Sequence, residues 1–178
     1  MYKIPIYKIM LVRDSSQNSE IKKIKTPTDA VGILQKYLSG TDRENFVVMM
    51  LDAKNQVIGI NTVSIGSLSS APVHPREVFK PAILSNTAGV ILCHNHPSND
   101  PTPSGDDRSL TERLTLAGEL MGIPVLDHII ITETEKYYSF RENGGLKTDA
   151  GGTKPLAPEA PTKGNRTSKT PSKAKPKE

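Results

Sequence analysis

The chain has a single cysteine, Cys93, so no internal disulfide can form and no thiolate metal cluster can be assembled from its own residues. It also lacks a long apolar run. The longest, Phe46 to Leu51 and Val125 to Thr132, fall far short of the roughly 18 to 20 residues needed to cross a bilayer, and Asp127 and His128 interrupt the second. No charged-then-apolar leader precedes the first polar residues. These absences exclude a disulfide scaffold and a membrane-spanning helix, and the expectation is a soluble cytoplasmic protein. A length of 178 residues allows one domain with its own core and a tail.

The formal charge of +4 hints at nucleic acid until it is divided along the sequence. Residues 147–178 hold eight Lys or Arg against three Asp or Glu, a net +5, which leaves residues 1–146 at −1. The basicity belongs to the tail. That stretch is rich in Pro, Lys, Thr, Ala and Gly, with Leu156 its one large apolar residue, so disorder is expected. It reads first as a solvated tail, with a weak phosphate-contacting arm for DNA as the alternative.

What remains alternates helices with strands. Tyr2 to Val12 is apolar and β-favouring but contains Pro5, which suits an arm or an edge strand, and the segment 1–26 is assigned to it. Thr26-Pro27-Thr28-Asp29 has the pattern of a helix start, followed by Val31, Leu34, Tyr37 and Leu38 at helical spacing and closed by Gly40. Glu44 precedes a buried-strand run, Phe46 to Leu51; Asp52 to Asn55 makes a turn, and Val57 to Ile60 begins the return strand. Gly66 to Pro72 is a small-residue loop. Pro75 opens a helix with Val78, Phe79, Ala82 and Ile83 on its apolar face, and Ala88 to Cys93 is a second buried strand. Ser104 begins another helix, with Leu110, Leu114, Ala117 and Met121 on one face; Val125 to Thr132 and Tyr137 to Phe140 form a closing pair of strands. The expected class is a single α/β domain over 27–146, with a mixed sheet flanked by helices.

Chemistry concentrates in Cys93 to Asp107. His94 and His96 are one residue apart at the end of a strand, where an extended backbone points both imidazoles the same way. A carboxylate from the following helix can return to the same point, which describes a metal site. Each residue has a plain reading as well. Ser104-x-x-Asp107 is also a capping box, loop histidines are usually surface or hydrogen-bonded residues, and an acid such as Glu44 before a strand is ordinary. Cys93 reads as a small core residue, and His74 and His128 as structural, with His128 able to pair with Asp127.

Taken together these residues carry more. His-x-His, seven residues, Ser, two residues and Asp, with a glutamate upstream, is the pattern of the JAMM metalloprotease motif, and the spacing fits without adjustment. Val73-His74-Pro75-Arg76-Glu77, His94-Asn95-His96-Pro97-Ser98, Pro101-Thr102-Pro103-Ser104 and Val125-Leu126-Asp127-His128 further resemble the RadC family across roughly residues 27 to 142. The resemblance implies an MPN-type (JAB) fold with a zinc ion held by His94, His96 and Asp107 and water in the fourth position. It further implies Glu44 as the base that activates this water, Ser104 as a support for the substrate carbonyl, and a protein or peptide substrate cut at a peptide or isopeptide bond. Where the family commonly has Gly after Pro-Ser this chain has Asn99, which tolerates a left-handed backbone. Family members also carry an N-terminal helix-hairpin-helix region, whereas about 25 residues precede the first helix here, which weakens a DNA-repair role. The alternative class is a non-catalytic, DNA-associated MPN-domain protein. A zinc nucleobase deaminase needs His-x-Glu and Pro-Cys-x-x-Cys, and one cysteine excludes it.

Overall fold

The computed structural model describes residues 3–66, 73–134 and 136–146. Its elements run α1 (Pro27–Leu38), β1 (Asn45–Leu51), β2 (Val57–Ile65), α2 (Pro75–Leu84), β3 (Gly89–Asn95), α3 (Gly105–Met121), β4 (Val125–Ile131) and β5 (Tyr137–Ser139). The five strands form one sheet in the order β2-β1-β3-β4-β5. Neighbours are antiparallel except β3 and β4, which are parallel. That one parallel pair requires a crossover, and α3 is the crossover. The chain is thus a single α/β domain with a mixed sheet flanked by helices.

β1 and β3 are buried along their whole length, which explains why they read as continuous apolar runs instead of alternating ones. Their two faces serve two cores. Val47, Met49, Leu51, Ile91 and Cys93 pack beneath α1 with Ala30, Leu34 and Leu38. Phe46, Val48, Met50, Val90 and Leu92 pack beneath α2 and α3 with Val78, Phe79, Leu110 and Leu114. The site lies at the end of β3 on this second face.

The helix starts form as their sequences predict. Thr26 and Asp29 make a reciprocal capping box on α1, Pro27 takes the first helical position, and the helix ends at Leu38, two residues before Gly40 at φ 76°. The apolar stripes of α2 and α3 differ from expectation. Ile83 is 54% exposed, and Pro81 joins Val78, Phe79 and Ala82 in the buried face instead. On α3 the buried residues include Leu110, Thr111, Leu114, Thr115 and Gly118, whereas Met121 is 37% exposed. Two threonines can turn inward because each hydroxyl donates back to a helical carbonyl, Thr111 Oγ1 to Asp107 O at 2.6 Å and Thr115 Oγ1 to Thr111 O at 2.9 Å. At the N-terminus, the apolar residues Ile4 to Val12 are exposed and form no strand; the nearest pairing to the sheet is the bridge between Lys23 and Gln56. The basic segment 147–178 and the loop residues 67–72 lie outside the described residues. No helix among those described is long and apolar enough to cross a membrane.

Gly118 sets how closely α3 approaches its neighbours. A Cβ there would lie 2.5 Å from Ile123 O and 3.2 Å from Phe79 Cζ. In an open helix Gly→Ala stabilises by about 1 kcal/mol, but here the methyl group meets backbone, and overpacking costs about 1–3 kcal/mol. Gly118→Ala is therefore expected to lower the unfolding midpoint in urea, and an unchanged or raised midpoint would show that the turn after α3 yields freely.

Candidate metal centre

β3 carries His94 on its α3 side, and one step beyond the strand His96 N donates to Ile131 O at 2.9 Å, which fixes the second histidine on the same side. The loop then turns through Asn99 at φ 61°, the left-handed conformation expected of it, and Asn99 Oδ1 accepts from Glu133 N at 3.2 Å. Asp107 returns from the first turn of α3. Ser104 is the N-cap, with Asp107 N donating to its hydroxyl at 3.1 Å. Ser104 N and Ser104 Oγ both donate to Asp107 Oδ2, at 2.7 and 2.6 Å. The capping box accounts for one carboxylate oxygen and leaves the other free.

That other oxygen, Asp107 Oδ1, is buried and takes no hydrogen bond, although it lies 3.2 Å from His94 Nε2. The two Nε2 atoms of His94 and His96 are 3.0 Å apart, and His96 Nε2 is 3.8 Å from Asp107 Oδ2. His96 Nδ1 sits 2.7 Å from Asp100 O, a carbonyl that can only accept, so His96 carries its proton there and leaves Nε2 free. Donor atoms of His94, His96 and Asp107 thus converge on one point, and this is a possible metal site. Tetrahedral zinc, with bonds of about 2.0–2.1 Å, holds adjacent donors about 3.3 Å apart, close to the 3.0 and 3.2 Å that separate His94 Nε2 from His96 Nε2 and Asp107 Oδ1, while His96 Nε2 stands further from the carboxylate, at 3.8 Å from Oδ2. The donor set fits the ion. Burial pushes the Asp107 carboxyl up, but His94 and the two Ser104 donors more than reverse this and hold it well below the usual carboxylate range. Burial lowers His94, partly opposed by Asp107.

Glu44 stands one residue before β1, and its backbone carbonyl accepts from Gly66 N at 2.8 Å. Its Oε1 is buried without a partner. Burial raises its carboxyl above the ordinary glutamate range, and the charge of Asp107 adds to the rise. Glu44 lies two residues before Phe46, which pairs with His94 across β1 and β3. Asn95, the residue between the two histidines, ties this segment down: its Oδ1 accepts from Asn45 N at 2.8 Å, and its Nδ2 donates to Arg43 O at 3.0 Å and Thr41 Oγ1 at 3.3 Å. Glu44 is held on both sides by the side chain of one buried asparagine.

The structure brings His94, His96 and Asp107 together, bonds Ser104 to Asp107, and sets Glu44 just ahead of the strand that pairs with β3. His74 is not among them, being exposed at the N-cap of α2 without a side-chain cap bond. His128 is closer than expected. Only its backbone N pairs with Asp127, at 2.7 Å to Oδ1, while its ring faces the other way, with Nε2 2.9 Å from His94 Nδ1 and Nδ1 2.6 Å from Thr111 Oγ1. Burial holds its pKa well below the usual histidine value. Sequence patterning does not single out Asn95 or Thr111, and it reads His128 only as structural. The alternation of β3 was the available signal for Asn95, since the residue between two inward histidines must point to the opposite face.

Comparison with known proteins now bears on the site. The RadC-like JAB domain matches residues 24–146. The chain belongs to the RadC family. Relatives include UPF0758 proteins of Rubrobacter xylanophilus, 50% identical over 69% of this chain and 53% of the relative, and of Moorella thermoacetica, 54% identical over 69% and 53%. A UPF0758 protein of Methanosarcina mazei is 44% identical over 71% of this chain and 55% of its own length. The chain spans about half the length of these RadC-family relatives, and the metal donors fall inside the matched region.

Removing the Asn95 side chain isolates its contribution. Asn95→Ala strips Asn45 N of its partner and leaves Arg43 O with Asn45 Nδ2 alone, and a buried group left unsatisfied costs about 1–3 kcal/mol. We expect lower stability in urea with metal uptake retained, because none of the three donors is touched; loss of uptake in a folded variant would show that Asn95 holds the histidines and not the Glu44 segment.

Proposed function

We propose that this protein is a zinc-dependent hydrolase of the JAMM type, cutting a peptide or isopeptide bond of a protein or peptide substrate. The observation that carries the reading is the pair of buried, unpartnered carboxylate oxygens, Asp107 Oδ1 at 3.2 Å from His94 Nε2 and Glu44 Oε1 on the segment entering the strand that pairs with β3. Two unsatisfied acceptors in one buried place are expensive to keep without a use. Three nitrogen and oxygen donors with no fourth protein ligand among the described residues correspond to catalytic zinc, whereas structural zinc is closed by four. When bound, zinc supplies a Lewis acid for the amide carbonyl and a water whose pKa falls to about 7.

The remaining work belongs to this chain. Glu44 accepts a proton at its free carboxylate and delivers it to the nitrogen of the leaving amine, and the upward push of burial brings its pKa nearer neutrality, where an acid can serve in both directions. Ser104 holds Asp107 Oδ2 through both its amide and its hydroxyl. Because the amide bond remains, the hydroxyl is able to turn to the developing oxyanion of the substrate without releasing the carboxylate. His94 and Asp107, both fully buried, exclude water from the inner side of the site.

Glu44→Gln tests the reading. The variant and the parent are each expected to bind about one zinc per chain by equilibrium dialysis. Turnover of fluorogenic peptide and isopeptide amides by the variant is expected to fall about 10²- to 10⁴-fold. Failure of the parent to hold stoichiometric zinc would overturn the proposal, and loss of zinc in the variant would make Glu44 a ligand instead of a base.

A further inference from the structure

We infer that Thr111 and His128 are positioning residues that set the tautomer of His94, so that His94 Nε2 presents a free lone pair to a divalent cation. The inference follows from counting protons along one chain of short contacts. Thr111 Oγ1 is 2.6 Å from Asp107 O, and two oxygens that close require a hydrogen between them. The carbonyl has none, so the hydroxyl proton is spent there. The same Oγ1 lies 2.6 Å from His128 Nδ1, and the proton for this second contact must come from the ring.

His128 is fully buried, stacked on Phe140 at 5.0 Å and edge-on to Phe46 at 5.5 Å, surroundings that favour the neutral ring with one N–H. With that N–H given to Thr111, His128 Nε2 is an acceptor. The partner at 2.9 Å is His94 Nδ1, which must therefore donate. The other nitrogen of His94 is left bare, facing His96 Nε2 and Asp107 Oδ1. Partners that orient a ligating histidine and raise its basicity are a general feature of metal sites. Here the orienting group is a second histidine, and its own orientation is set by the helix that supplies Asp107 one turn earlier. Neither residue touches the point where the donors converge, so neither is a ligand.

This inference rests on the metal reading of the donor cluster but not on hydrolysis, and its test uses metal binding and nitrogen spectroscopy. Thr111→Val keeps the shape and removes the hydroxyl; Thr111→Ser restores it. Competition against a chromophoric chelator is expected to show zinc affinity reduced about 10- to 100-fold in the valine variant and near the parent value in the serine variant. In ¹⁵N spectra of the parent protein, His94 and His128 are both expected as Nδ1–H tautomers, with His128 losing that preference in Thr111→Val. Equal zinc affinity in the valine and serine variants would overturn the inference. So would finding His128 of the parent as the Nε2–H tautomer, a result that needs no variant to fold. A parent protein that takes up no zinc would instead overturn the metal reading, while the tautomers would still decide the relay.

Discussion

His94 Nε2, His96 Nε2 and Asp107 Oδ1 repel one another, and much of the surrounding structure serves to keep them together. Each is an electron-pair donor, two of the three residues are fully buried, and no cationic side chain among the described residues pairs with the cluster. Left alone such a group would spread or protonate. It stays assembled because each member is anchored on its far side. Asp107 is held by both donors of Ser104, His96 by Asp100 O, and His94 by His128. The sheet and α3 then fix those anchors relative to one another.

Helix capping and ligand presentation, which on sequence look like competing explanations for Ser104 and Asp107, divide the same carboxylate between them. A capping box needs one acceptor oxygen at N3, and a carboxylate has two. Oδ2 satisfies the helix start and Oδ1 is free. The cap also keeps the free oxygen available and in place, since the hydrogen bonds on Oδ2 hold the group ionised and unable to rotate. A metal-site aspartate at a helix N-terminus therefore needs no local departure from ordinary helix chemistry.

The legible parts of this chain were those whose cause is local. Thr26-Pro27-Thr28-Asp29, the apolar runs of β1 and β3, and the His-x-His spacing all declare themselves within a few residues, and the donor set is visible because its spacing is a motif. What was not legible depended on register. His128 lies across from Leu92 in a parallel pairing that no short stretch encodes, so its ring could be placed beside His94 only once β3 and β4 were aligned. The α3 stripe was misjudged for a related reason. Thr111 and Thr115 count as polar by composition, yet each satisfies its hydroxyl inside the helix and so can face the core. Ile83 was lost to a Pro, because Pro81 has a ring to bury and no N–H to satisfy.

The tripeptide His94-Asn95-His96 shows how much a strand end accomplishes with period two. The two histidines face α3 and converge with Asp107; the asparagine faces the opposite way, toward the segment that runs from α1 into β1. One short piece of backbone therefore sets both the donors and the height of Glu44 above them. This coupling follows from alternation, and it explains why an intervening residue that coordinates nothing is nevertheless a buried asparagine with its three side-chain bonds all made to residues 41–45. A small apolar residue there would pack as well but leave Asn45 N without a partner and Arg43 O with Asn45 Nδ2 alone. The metal donors and the candidate base lie about fifty residues apart in sequence, and one amide side chain extends the β1–β3 pairing to link them.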